Sequence, residues 1–109
     1  MAGKNKESII TDYMDISAFS GRPTEHIHHC IFGSGLRKLA DEDLLVLPLT
    51  ASEHNMGSPT ECIHGNTAAE KLSKMVGQLA WEKHYMATTG CPEFVAREAF
   101  RKRYQISFL

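Results

Sequence analysis

Apolar positions come in short bursts through the first half of the chain and settle into a helical rhythm only past residue 66. "MDISAFSGRPTEHIHHCIF", residues 14–32, scatters Ile16, Phe19, Ile27, Ile31 and Phe32 among polar residues, with "SGRP" in its middle. That spacing predicts two short extended segments around a turn. "GSG" follows at 33–35, and a polar, charged connection leads to "LLVLPL", Leu44–Leu49. The run is short and predicts a strand, with Pro48 marking an edge or the strand's end. "TASEHNMGSPTECIHGN", 50–66, reads as loop, with one helical turn around Ser52–Asn55.

A long helix is predicted next, capped by Asn66 or Thr67 and carrying Glu70 and Lys74 as an i,i+4 pair. Its stripe of Leu72, Met75, Val76 and Leu79, running on to Trp81 or Lys83, is expected to face the core, and the helix to end near Tyr85 or Met86. "TTGCP" stops it, and Pro92 opens a second helix through about Arg103, with Phe94, Val95 and Phe100 inward. "YQISFL" at 104–109 is expected to be a short strand or a docked tail. Residues 1–12 read as a flexible polar tail and 13–109 as one domain. The fold class is α+β: short N-terminal strands, then two C-terminal helices.

Composition bounds this picture. A chain of 109 residues buries roughly two-thirds of its unfolded surface, enough for a modest core. A net charge of −1 rules out a general polycation, so nucleic-acid binding would need cations gathered locally. They gather as Arg101, Lys102 and Arg103 near the C-terminus, with Arg97 a turn earlier, and as the pair Arg37 and Lys38. Cys30, Cys62 and Cys91 form no CxxC, which signals neither a disulfide framework nor a cysteine zinc ribbon and suggests a reduced, cytoplasmic setting. No signal peptide and no apolar run of membrane-spanning length is visible.

The chemistry lies in the histidines: His26, His28 and His29, then His54, His64 and His84. Neutral imidazole is the commonest ligand for zinc and related ions, and the side chain best suited to proton transfer near neutral pH. Neighbours on a strand point to opposite sides, so His28 and His29 diverge unless twist or a bulge brings both to one cleft. One would then hold a metal while the other works beside it. His54 and His64, just ahead of the long helix, complete a three-ligand set. The competing reading is an interaction protein whose histidines are incidental. His26 is expected at the surface and His84 near a helix end, where a cation complements the dipole. Cys30 and Cys62 are expected to be small buried residues.

The segments "HIHHCIFGSGLRK", "LLVLPLTASEHN" and "CIHGN" resemble, in order, the HNH or His-Me finger nuclease superfamily. The likeness spans about Asp15–Tyr85. It is strongest to small phage-encoded HNH-like proteins and to the phage recombination-enhancement nucleases that act with RecA. The resemblance implies a ββα-metal finger and a metal-dependent DNA endonuclease working in a host cytoplasm, with DNA and a RecA-like recombinase filament as partners. It implies that His29 is the general base and that His28, His54 and His64 hold one divalent ion: zinc, magnesium, manganese or nickel. Three neutral nitrogens favour zinc or nickel. It also implies that Arg37, Lys38, Arg101, Lys102 and Arg103 contact phosphates. The family's middle asparagine has no counterpart near Leu45; Asp43 is expected to hydrogen-bond a histidine in its stead. The cysteine knuckles of many relatives are missing, so no second, structural zinc is expected. The alternative within the resemblance is a non-catalytic, metal-stabilised nucleic-acid-binding module.

Overall fold

Strand β1 (His26–His29) pairs antiparallel with β2 (Val46–Leu49), His26 opposite Leu49 and His29 opposite Val46. The structure, a computed structural model, describes residues 7–109. Pro48 sits in β2 because its carbonyl faces away from β1, accepting from Ala18 N–H at 2.9 Å, so the missing N–H lies on that outer side. Of the two extended segments expected over 14–32, the second contains β1, while the turn region before it is joined by an isolated bridge, Ile16 to Pro23. The flexible tail lies outside the described residues up to Lys6. Beyond it the chain is held: Ser8 Oγ donates to the Val46 carbonyl, Ile9 N–H donates to the Leu44 carbonyl, and Ile9 packs on the core.

The polar, charged connection between the strands, to which the sequence reading assigned no element, is a helix, α1 (Leu36–Glu42). Leu36, Leu39 and Ala40, spaced i, i+3, i+4, turn to the core. Gly35, with φ 80°, starts the helix, and Leu44, with φ 59°, ends it in the left-handed position usually filled by glycine.

Helix α2 (Thr67–Thr89) is capped by Asn66, whose side chain accepts from Ala69 N–H, and it stops at Gly90 in the left-handed conformation. It runs three residues past the expected end at Met86, so "TT" belongs to it. Its orientation reverses the expected one. Ser73, Gly77, Gln78 and Glu82 are buried, while Leu72 and Leu79 are 60% and 53% exposed and Val76 is also exposed. The reason lies in the buried partners: Ser73 bonds His28, Gln78 and Glu82 bond each other, and Glu82 takes Arg97 at 2.7 Å. Gly77 lets α2 close on β1's continuation; a Cβ there would lie 2.8 Å from Ile31 Cγ1 and 3.1 Å from Cys30 Cβ. Glu70 and Lys74 likewise meet other partners: Glu70 meets His64, and Lys74 lies over the Phe32 ring.

Helix α3 (Glu93–Tyr104) follows Pro92 and buries Ala96, Phe100 and Tyr104, whereas Phe94 is 76% exposed and Val95 borders on exposed, against the inward position expected for both. Phe100 stacks on Tyr104 and meets Trp81 edge-on, forming the core with Ile31, Ala40 and Leu45. The C-terminal segment docks as a tail, Phe108 N–H donating to Gln78 Oε1. The fold is a small α+β domain with a two-stranded antiparallel sheet. No helix among the described residues is long and apolar enough to cross a membrane.

The reversed helix face has a direct test. Gly77→Ala gains helix propensity of about 1 kcal/mol but overpacks the core by about 1–3 kcal/mol. We expect a net loss of stability by urea denaturation, with Leu72→Gln within about 0.5 kcal/mol of wild type. A large loss for Leu72→Gln would place the apolar stripe inside.

Candidate metal centre

Strand alternation divides the β1 histidines. His26 and His28 share one face, and His29 leaves from the other. His54, the second candidate ligand, sits in a π-helical turn, Ser52–Met56. "TASE" starts that turn as a reciprocal capping box: Thr50 N–H donates to Glu53 Oε1 and Glu53 N–H to Thr50 Oγ1. Burial pushes the Glu53 carboxyl up, but hydrogen bonds from Ser17, Thr50 and Ser20 outweigh it and hold the group below its ordinary value. Gly57 closes the turn onto the Ser52 carbonyl, and a Cβ there would come within 2.5 Å of that oxygen. The third candidate, His64, is clipped to the second by backbone: His64 N–H donates to the His54 carbonyl at 3.0 Å and Ile63 N–H to the Glu53 carbonyl at 2.8 Å.

One ring nitrogen from each of His28, His54 and His64 lies within 4.8 Å of those from the other two. In each ring the second nitrogen already has a partner. Ser73 Oγ donates to the Cys30 carbonyl at 2.8 Å, so it accepts from His28 Nε2–H at 2.7 Å. This fixes the tautomer and leaves His28 Nδ1 as a bare lone pair. It is the only buried side-chain N or O without a partner among the described residues. His54 Nδ1 pairs with His26 Nδ1 at 3.0 Å, and His64 Nδ1 with Glu70 Oε2 at 3.0 Å. The outward nitrogens thus have the backing partners that metal-binding imidazoles ordinarily carry.

Electrostatics keep two of the rings, His28 and His54, neutral. Burial lowers His28 to about 3, helped by the nearby His54, His64 and His29, and burial with His64, His26, His29 and Arg37 lowers His54 to about 4. Three neutral nitrogens with no carboxylate fit a zinc- or nickel-like divalent ion and leave coordination positions for water or substrate. Cys30 is buried with its thiol pushed up to about 12 by that burial, so it offers no thiolate; Cys62 is buried as well.

The remaining predicted residues are placed as follows. His29 Nε2 meets Asp41 Oδ1 at 2.9 Å. Asp43 reaches no histidine. It caps α1 on the far side, accepting from Arg103 at 2.7 and 2.8 Å and from Tyr104 Oη at 2.7 Å. Arg37 and Lys38 line an open cleft of about 590 Å³ with His29, Gly35, Asp41 and Glu42. Arg103 is tied to Asp43 and Glu42, and Arg101 to Glu98 at 3.5 Å; Lys102 is exposed. His84 is exposed on α2, away from the cluster. His26, expected at the surface, is instead the partner of His54. Sequence reading missed Ser73, Glu70 and Asp41, which are ordinary helix residues by type; only the "TASE" box was a legible sign of the π turn. No family model, curated protein or solved structure matches the chain.

Titrating the metal-stripped protein with zinc in a calorimeter should show one ion per chain. His28→Ala should abolish binding, and Glu70→Gln or His26→Gln should weaken it about 10–100-fold. For the metal-free chain the pH dependence has a definite sign. Folded His28 and His54 take protons near 3 and 4, whereas unfolded imidazoles do so near 6.5, so the unfolded state binds more protons below that value. The urea midpoint in chelator should be flat above about pH 7 and fall steadily from about pH 6.5 towards acid. A midpoint unchanged between pH 7 and 5 would contradict the neutral cluster.

Proposed function

We propose that the chain is a metal-dependent endonuclease of the HNH, ββα-metal type, hydrolysing phosphodiester bonds in DNA. The observation that carries this reading is the buried, partnerless Nδ1 of His28, converging with free nitrogens of His54 and His64. The order of parts also supports it: two antiparallel strands, then a helix, with ligands on the first strand and between the second strand and the helix. Helix α1 stands between the strands as an insertion.

The bound ion would supply Lewis-acid stabilisation of charge developing on the phosphoryl group and the leaving oxygen. The protein's own residues do the rest. His29, on the opposite face of β1 from His28, accepts the proton of the attacking water. Arg37 and Lys38, beside His29 in the cleft, hold the phosphate chain and make affinity salt-dependent. Arg103, bound to Asp43 and Glu42, is set aside from the DNA-contact set, and Arg101 and Lys102 become at most peripheral contacts.

The test is nicking of supercoiled plasmid in magnesium, manganese, nickel or zinc by wild type and His29→Ala, with metal binding measured on both. Metal-dependent cutting is expected, reduced about 10²–10⁴-fold in the variant while its metal affinity is kept. DNA binding without cutting in any of the metals would make the chain a metal-stabilised binding module. Equal cutting by both proteins would remove His29 from the chemistry.

A further inference from the structure

A general base must carry its lone pair on the nitrogen that faces the reacting water, so something must decide which nitrogen of His29 holds the proton. His29 Nε2 lies 2.9 Å from Asp41 Oδ1. An ionised carboxylate only accepts, so Nε2 carries the hydrogen and Nδ1 the lone pair. Nδ1 has no partner among the described residues, yet it is not among their buried partnerless atoms, so it reaches solvent. His29 lines the cleft that holds Arg37 and Lys38. Asp41 itself comes from α1, whose Ala40 is fully buried in the core and whose Leu36 and Leu39 pack against it, so the carboxylate stands on a fixed support although 46% exposed.

We propose that Asp41 is the positioning residue of His29: it holds the imidazole as the Nε2–H tautomer and presents Nδ1 to the cleft as the proton acceptor. The catalytic consequence rests on the nuclease reading; the tautomer assignment does not. In the reaction, a water O–H bond breaks and its proton goes to Nδ1. The freed electron pair forms the new P–O bond, and the bond from phosphorus to the 3′ oxygen breaks, that oxygen leaving with the bonding pair and taking a proton from solvent water. Asp41 stays ionised throughout, favouring the imidazolium that forms. The family's asparagine is thereby replaced by a carboxylate drawn from a helix inserted between the two strands.

The experiment uses full-length, zinc-loaded protein labelled with ¹⁵N-histidine, with long-range ¹H–¹⁵N spectra assigning the protonated nitrogen of His29. Wild type, Asp41→Ala and Asp41→Asn are compared, and kcat and KM for plasmid nicking are measured in the metal that supports cutting. Wild type should show Nε2–H. Asp41→Ala should lose that preference, and kcat should fall about 10²-fold with KM changed less than about threefold. Asp41→Asn keeps the size, but its amide N–H₂ can donate to Nε2 and favour the opposite tautomer, so kcat should fall at least as far. A purely structural Asp41 would instead tolerate asparagine. The proposal is overturned if His29 keeps its Nε2 proton in both variants, or if kcat is unchanged in them while His29→Ala is inactive. If wild type cuts in no metal, the nuclease reading fails, and the spectra alone decide Asp41: a changed tautomer upholds the assignment and an unchanged one overturns it.

Discussion

The hydrogen-bond chain from His28 Nε2 through Ser73 Oγ to the Cys30 carbonyl is the constraint on which most of the molecule depends. It fixes which nitrogen of a fully buried imidazole is bare, and it ties β1 to α2. A hydroxyl is a short arm, so α2 must come close. Gly77, one turn beyond Ser73, makes the approach possible because its missing side chain leaves room for Ile31 and Cys30. Once Ser73 and Gly77 face inward, helical geometry sends Leu72, Val76 and Leu79 to the other side. The helix gives up burial of three apolar side chains, and it gains a fixed tautomer, a paired Glu82 and a docked C-terminal tail.

That trade explains what the sequence could and could not reveal. Asn66 as a cap, Gly90 as a stop and Pro92 as a start were legible because each acts through local backbone chemistry. The α2 face was not, because periodicity assumes that apolar residues seek the core. Here polar residues had buried partners far along the chain, Ser73 pairing with a histidine 45 positions away. Helix α1 was hidden differently. Arg37, Lys38, Asp41 and Glu42 dominate its composition, and its end at Leu44 lacks the expected glycine. The i, i+3, i+4 spacing of Leu36, Leu39 and Ala40 was the available sign. In the candidate site, residue type alone marked His28, His54 and His64. Their backing residues were invisible, since a serine, a glutamate and a fourth histidine acquire meaning only once folding places them at a ring nitrogen.

Helix α1 also links two regions that the chain separates widely. Asp41 turns to His29 on β1, while Glu42 and Asp43 turn to Arg103 near the end of α3. Asp43 further accepts from Tyr104, which is buried and stacked on Phe100, so the cleft wall is anchored in the core. The same arrangement pairs Arg103 of the C-terminal cluster with two carboxylates. Beside His29 in the cleft an anionic partner would meet a small basic patch, Arg37 and Lys38, on a chain of net charge −1. Such a patch gives modest, salt-sensitive affinity, and any tight association with DNA would need the ion's charge in addition.

A metal ion at this site would matter for a second physical reason. Ring nitrogens of three histidines converge within 4.8 Å of one another, and the buried Nδ1 of His28 finds no partner among the described residues. An unpaired buried acceptor costs about 1–3 kcal/mol, and convergent lone pairs add repulsion. The usual escape, protonation, is closed because burial and neighbouring rings hold His28 and His54 neutral until about pH 3 and 4. The segments carrying His54 and His64 are held chiefly by a capping box and two backbone clips, with Cys62 and Ile63 as their buried apolar contribution. A cation at the centre would convert the repulsion into bonding and join β1, the π turn and the approach to α2. In a domain with so small a core, a bound ion would then also help hold this loop in place.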